Sequence, residues 1–177
     1  MNRLFSIPRP FQVPDGTLVS PFLNSRDNQS GLPFDLLSGF SIAAGTILPG
    51  TKSKIHKMPF VTQVVFVRRG TLNVIMSHDA KTAPYPLTVQ ENHAALVERA
   101  TLLQLENNGS RPCEVLYVVS PPYVFEKTGE RVSYDDSVVT DQDWSDINAA
   151  GWQPVMPDPT IEEREATEAR LRQGTRR

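Results

Sequence analysis

Between residues 39 and 125 the chain runs in short apolar or alternating stretches broken by turn residues, the rhythm of an antiparallel β-sandwich or barrel. The pattern predicts strands over 40–44, 55–59, 62–68, 71–76, 87–89, 94–97, 102–105 and 113–119. In the fourth of these, Leu72, Val74 and Met76 alternate with Thr71, Asn73 and Ile75, which gives the strand one apolar face. The breaks at 48–50, 69–70, 77–86, 90–92 and 107–110 are rich in Gly, Pro, Asn, Asp or Ser, residues that supply turn geometry.

The flanks read differently. Residues 1–38 carry Pro8, Pro10, Pro14, Pro21 and Pro33, together with a polar stretch from Asn24 to Gly31, and predict an irregular arm that wraps the core. After Pro121 and Pro122 the chain turns polar again, so 126–177 reads as a C-terminal extension with two short helices. The first, over 143–150, has an acidic start and stops at Gly151, with Trp144, Ile147 and Trp152 available to pack it on the barrel. The second, over 160–173, opens with Thr160 and Glu163 at capping-box spacing, with acids early and arginines late. Its apolar side is only Ile161, Ala169 and Leu171, which predicts a solvated terminal helix.

At 177 residues a single domain buries roughly 70% of the surface of its unfolded chain, enough for a full core without staples. The formal net charge is −2, and no Lys/Arg cluster is interleaved with aromatics, so nucleic acid is not an expected partner. The longest apolar stretches, 64–67 and 115–119, fall far short of the roughly 18 residues that span a bilayer. The prolines near the N-terminus interrupt any signal-peptide core, which leaves a cytoplasmic location as the expectation. Cys113 has no intrachain partner and lies in the apolar run 113–119, as a buried, inert thiol does.

One segment carries a motif. Gly50, His56 and Gly70 fall at the spacing of the first motif of the cupin superfamily, a glycine, five residues, His-x-His, a spacer, Glu, six residues and a second glycine. The segment resembles that motif with Met58 in place of the second His and Gln63 in place of the Glu. Anchoring the second motif on Asn107 puts Asn92, Glu98, Ala100 and Leu103 in its slots, and a shift of one residue puts Leu102 in the His slot. Either way the third histidine is a leucine. The resemblance covers about residues 39 to 125 and implies an all-β, double-stranded β-helix or jelly-roll barrel, in many relatives a homodimer. Members with complete motifs bind a divalent metal, often iron, through three His and one Glu in a barrel pocket, and they include dioxygenases, isomerases, lyases and pure binding modules.

In this alignment His56, Met58 and Gln63 point into the barrel, with Val65, Val74, Leu103 and Leu105 as substrate-contacting apolar lining. Two readings of the pocket stay open. In one, His56 and Gln63 hold a divalent metal, iron first, weakly and with non-standard partners, as in an oxygenase. In the other there is no metal: His56 takes or gives a proton near neutral pH, Gln63 orients it or binds a carbonyl oxygen, and Tyr117 or Tyr123 serves as partner acid. A buried Gln63 without a partner costs about 1–3 kcal/mol, so a satisfied His56–Gln63 pair with no chemistry is the structural alternative. The expectation is a cupin that handles a small, mostly apolar organic molecule by isomerase, cyclase or lyase chemistry at His56. An iron-type dioxygenase and a non-catalytic small-molecule binder are the alternatives.

Overall fold

A computed structural model of the chain describes residues 6–24, 39–128 and 131–174. In chain order the strands are β1 (Phe11–Gln12), β2 (Leu18–Leu23), β3 (Ser41–Ile47), β4 (Thr51–Lys52), β5 (His56–Lys57), β6 (Thr62–Arg69) and β7 (Thr71–Ser77). They continue as β8 (Tyr85–Gln90), β9 (Ala94–Val97), β10 (Leu102–Asn107), β11 (Cys113–Ser120), β12 (Phe125–Thr128), β13 (Arg131–Asp135) and β14 (Val138–Val139), followed by α1 (Trp144–Ala150) and α2 (Ile161–Gly174).

Among the described residues the strands form two facing sheets and a hairpin. One sheet has the order β1-β2-β3-β11-β6-β9; the other runs β14-β5-β10-β7-β8, with β4 also on β10; β12 and β13 pair alone. The pairings among the described residues are antiparallel, and β6 to β7 crosses from one sheet to the other through Gly70 at φ +90°, where a side chain would be strained. Alternation sorts the faces: on β11, Cys113, Val115, Tyr117 and Val119 are buried while the residues between them are not. With Val65, Val67, Leu72, Val74, Leu103 and Leu105 they make the interior of the barrel. The all-β barrel expected from the alternating runs is the fold observed.

At two positions the backbone takes the left-handed conformation that glycine favours. Asn92 and Ala100, in the two glycine slots of the register anchored on Asn107, have φ of 64° and 62°. Leu103 then lies directly opposite His56 on the neighbouring strand, the place of a third ligand. Of the two registers considered, this selects the one with Leu103.

Three expectations for the flanks are corrected. The N-terminal arm is not wholly irregular: β1 and β2 form a hairpin and add to the β3 edge of a sheet. Its turn, Val13 to Thr17, is closed by backbone bonds from Val13 N–H to Thr17 and from Gly16 N–H to Val13, and Pro14-Asp15-Gly16 supplies the turn chemistry. The polar tail also contributes strands, β12 to β14. Finally, α2 is docked rather than solvated. Its thin apolar side is bypassed: Arg164 and Thr167 are buried, and Arg164 bonds Asp136 through Nε at 2.9 Å and Nη2 at 3.0 Å and the Pro122 carbonyl at 2.9 Å. The capping box of Thr160 and Glu163 is present, and α1 packs Ile147 with Ile55 and Leu102 as its sequence predicts, with Trp144 and Trp152 against that cluster.

Candidate active site

The interior opens into a cavity of about 150 Å³, large enough for a molecule of roughly benzene's size. Two groups of side chains furnish its polar wall.

The first is built on His56. A buried ring, 5% exposed, it sits on β5, and its Nδ1 lies 3.0 Å from the Lys54 carbonyl oxygen. A carbonyl only accepts, so Nδ1 carries the proton of the neutral ring and Nε2 keeps its lone pair. Behind Nδ1, at 3.6 Å, stands Oδ2 of Asp15. Asp15 comes from the β1–β2 turn, where its Oδ1 accepts from the Thr17 N–H at 2.9 Å and from the Thr17 hydroxyl at 2.8 Å. Its own carbonyl accepts the Lys54 N–H at 2.7 Å, which ties the turn to the strand that carries the histidine. The result is a carboxylate–imidazole pair whose outer nitrogen meets no hydrogen-bond partner among the described residues, the arrangement that orients a general base.

The second group is Tyr123 and Asp135. The Tyr123 hydroxyl donates to Asp135 Oδ1, and the Ser137 N–H reaches the same oxygen at 2.9 Å. Burial pushes the Asp135 carboxyl up to about 7; the two hydrogen bonds oppose that rise, and the charges of Asp136 and Asp15 add to it. Burial likewise holds the Tyr123 hydroxyl well above the usual tyrosine range, so it stays a proton donor to Asp135.

The cavity brings together His56, Met58, Gln63, Leu105, Tyr117 and Tyr123 from among the residues expected to form the site. Gln63 is 6% exposed and its amide makes no hydrogen bond to a described residue, so the proposed His56–Gln63 pair is not formed. Among the described residues the Tyr117 hydroxyl is buried with no hydrogen-bond partner, and its ring lies so close to β3 that a Cβ on Gly45 would stand 2.4 Å from Tyr117 Cε2. Burial first, and the Asp15 charge second, push its acidity far down, making Tyr117 a fixed donor and not a proton-transfer acid at ordinary pH. Val65, Val74 and Leu103, expected as substrate contacts, are fully buried in the surrounding core and do not line the cavity. His78 and His93 are exposed and lie elsewhere, as do Glu98 and Arg99. Cys113 is fully buried, and burial pushes its thiol up to about 11, an inert side chain.

Sequence reasoning missed Asp15, Thr17 and Asp135. The signal for the first two was available as Pro14-Asp15-Gly16 between two apolar stretches, a hairpin turn signature inside a segment read only for its prolines.

The donors do not suit a tightly held catalytic metal. Such a site uses three protein ligands and an open position. Here His56 offers Nε2, Gln63 a neutral amide and Met58 a thioether, while Leu103 faces His56 where a third imidazole would stand. Among the described residues no three His, Cys, Asp or Glu side chains come together to hold an ion.

Solved structures with the same architecture confirm the class. The chain is similar to a mutant of Bacillus subtilis oxalate decarboxylase OxdC, at 16% identity over 75% of this chain and 30% of that one, with a TM-score of 0.55. It is similar to an oxalate oxidase in complex with the substrate analogue glycolate, at 20% identity over 62% of this chain and 53% of that one, TM-score 0.51. A third likeness is to Drosophila melanogaster CENP-C bound to CAL1, at 14% identity over 63% of this chain and 75% of that one, TM-score 0.50. The protein has the cupin, or double-stranded β-helix, fold. The chain spans about a third of the decarboxylase and half of the oxidase. No family model matches the sequence, and no curated protein matches it. No described helix is long and apolar enough to cross a membrane.

Proposed function

We propose that this protein binds a small, mostly apolar organic molecule in the barrel cavity and transforms it by proton transfer at His56, as an isomerase, cyclase or lyase with little dependence on metal. The observation that carries this reading is the commitment of Nδ1 to the Lys54 carbonyl with Asp15 behind it, which leaves Nε2 as a base beside an apolar cavity. In the step envisaged, Nε2 takes a proton from a carbon or hydroxyl of the bound molecule, Asp15 steadies the imidazolium, and the same proton returns at another atom. Gln63 and Tyr117 bring the hydrogen-bond donors that would face an oxygen gaining negative charge. Oxalate, named for two of the fold neighbours, is a dianion; among the described residues no lysine or arginine lines this cavity and Asp15 and Asp135 do, which speaks against such a ligand.

The test is product analysis of a pooled small-molecule extract incubated with the full chain in the presence of chelator. Wild type is expected to convert a component to an isomer or an elimination product. In His56→Ala the rate is expected to fall by a factor on the order of 100 or more, the ordinary contribution of a general base. Oxygen incorporation that stops on chelation would replace this reading with an oxygenase. A molecule that is retained but chemically unchanged would replace it with a binding module.

A further inference from the structure

The cavity is electrically one-sided. Asp15 and Asp135 line it, and among the described residues no lysine or arginine does. Three nearby cations are engaged elsewhere: Lys54 with Asp141 at 2.6 Å, Lys57 with Asp158 at 2.5 Å, and Arg164 with Asp136. Its polar atoms are mostly acceptors with capacity to spare. Asp135 takes both of its hydrogen bonds on Oδ1, Asp15 takes both of those from Thr17 on Oδ1, and His56 presents the lone pair of Nε2. A second observation is independent of the acids. Gln63 is more than nine-tenths buried, lines the cavity, and has an amide with no partner among the described residues, as a side chain that waits for a ligand does. Aromatic rings complete the wall: Phe11 and Phe125, 6.1 Å apart, with Tyr117 and Tyr123. One of these rings already meets a cation, since the Lys127 ammonium stands 6.0 Å from the Phe11 centroid.

We propose that the molecule taken by the cavity is a small organic cation, an amine whose ammonium group lies on the wall formed by Asp135, Gln63 and the aromatic rings, with its apolar body against side chains such as Val19 and Leu105. The inference rests on the cavity being the ligand site and adds the class of ligand. An ammonium carries three donors and no acceptor, which matches a wall rich in free acceptors. Rings of negative face attract it further, while carboxylate ligands would meet two like charges. Proton linkage follows from the groups that face Asp135: Tyr123 bonded to it, Asp136 held by Arg164 of α2, and Asp15 of the β1–β2 turn. Burial holds the Asp135 carboxyl near 7, so an arriving ammonium draws it into the carboxylate form, and binding weakens as the pH falls below that value.

Calorimetric titration of the full chain with cyclohexylamine, cyclohexanol and cyclohexanecarboxylate tests this. The three probes share a ring of about the size that fits and differ in charge. Near pH 8 the amine is expected to bind roughly tenfold more tightly than the alcohol, the effect of a charge-assisted hydrogen bond, and the carboxylate is expected to bind most weakly. The preference is expected to shrink to within about threefold in Asp135→Asn, and in wild type near pH 5.5, where the carboxyl is protonated. An alcohol that binds as tightly as the amine overturns the assignment of a cation and leaves the cavity as a ligand site. If none of the three binds, the cavity reading itself falls.

Discussion

Replacing Arg164 by methionine is expected to destabilise the protein by about 3–5 kcal/mol, the cost of leaving a buried charge without its partner. The side chain is 6% exposed and that of Asp136 is 0% exposed, so neither can turn to water. Asp136 also accepts from the Tyr134 hydroxyl at 3.0 Å and from the Val124 N–H at 2.8 Å, which fixes its carboxylate in place whether or not the arginine is there. Methionine retains most of the aliphatic packing, so the loss reports the charge. Combining it with Asp136→Asn is expected to recover part of the stability, because the uncompensated charge is removed while the Asn side chain can still accept hydrogen bonds. Urea unfolding near neutral pH measures both. A loss of less than about 1 kcal/mol would mean that α2 is not held by this pair.

The second large effect is a pH dependence. Burial raises the Asp135 carboxyl from an ordinary value of about 3.9 in the unfolded chain to about 7 in the folded one. The folded protein therefore keeps a proton that the unfolded chain releases between those values. The stability this contributes is fully present below about pH 4 and is lost as the pH rises through 7. Full linkage over three units amounts to about 4 kcal/mol, and discounting for the partly exposed side chain leaves about 2–4 kcal/mol. In Asp135→Asn the term is absent, so the stability of the variant relative to wild type is expected to rise by that amount between about pH 4 and pH 8. Paired unfolding curves across this range check it, and a constant difference would show that the carboxyl titrates normally.

The barrel was legible in the sequence because its strands bury one face each, and burial imposes a period that can be read directly, as in β7 and β11. The motif residues His56 and Gln63 were legible for a different reason: two glycines fix the turns that space them. What lay beyond reach was contributed by segments without periodicity. Asp15 acts at the site because a hairpin turn is tied by one backbone bond to Lys54, a contact between positions far apart in sequence. Asp135 lies in a polar stretch and pairs with Phe125 of β12. The docking of α2 is not legible in apolar area, because the helix is held by a buried ion pair. Lining residues were also only half legible. Leu105 and Val65 are both inward and apolar, and alternation alone cannot say which faces a void and which faces another side chain.

The proposed chemistry depends on His56 presenting an open Nε2 to a ligand cavity. Nitrogen-15 correlation spectra of the histidine rings near pH 8, recorded with and without cyclohexanol and cyclohexylamine, test this most directly. The expected result is a neutral ring protonated on Nδ1, with an Nε2 resonance that moves when a probe is added while those of His78 and His93 do not. A ring protonated on Nε2, or an Nε2 resonance indifferent to both probes at saturation, would contradict it.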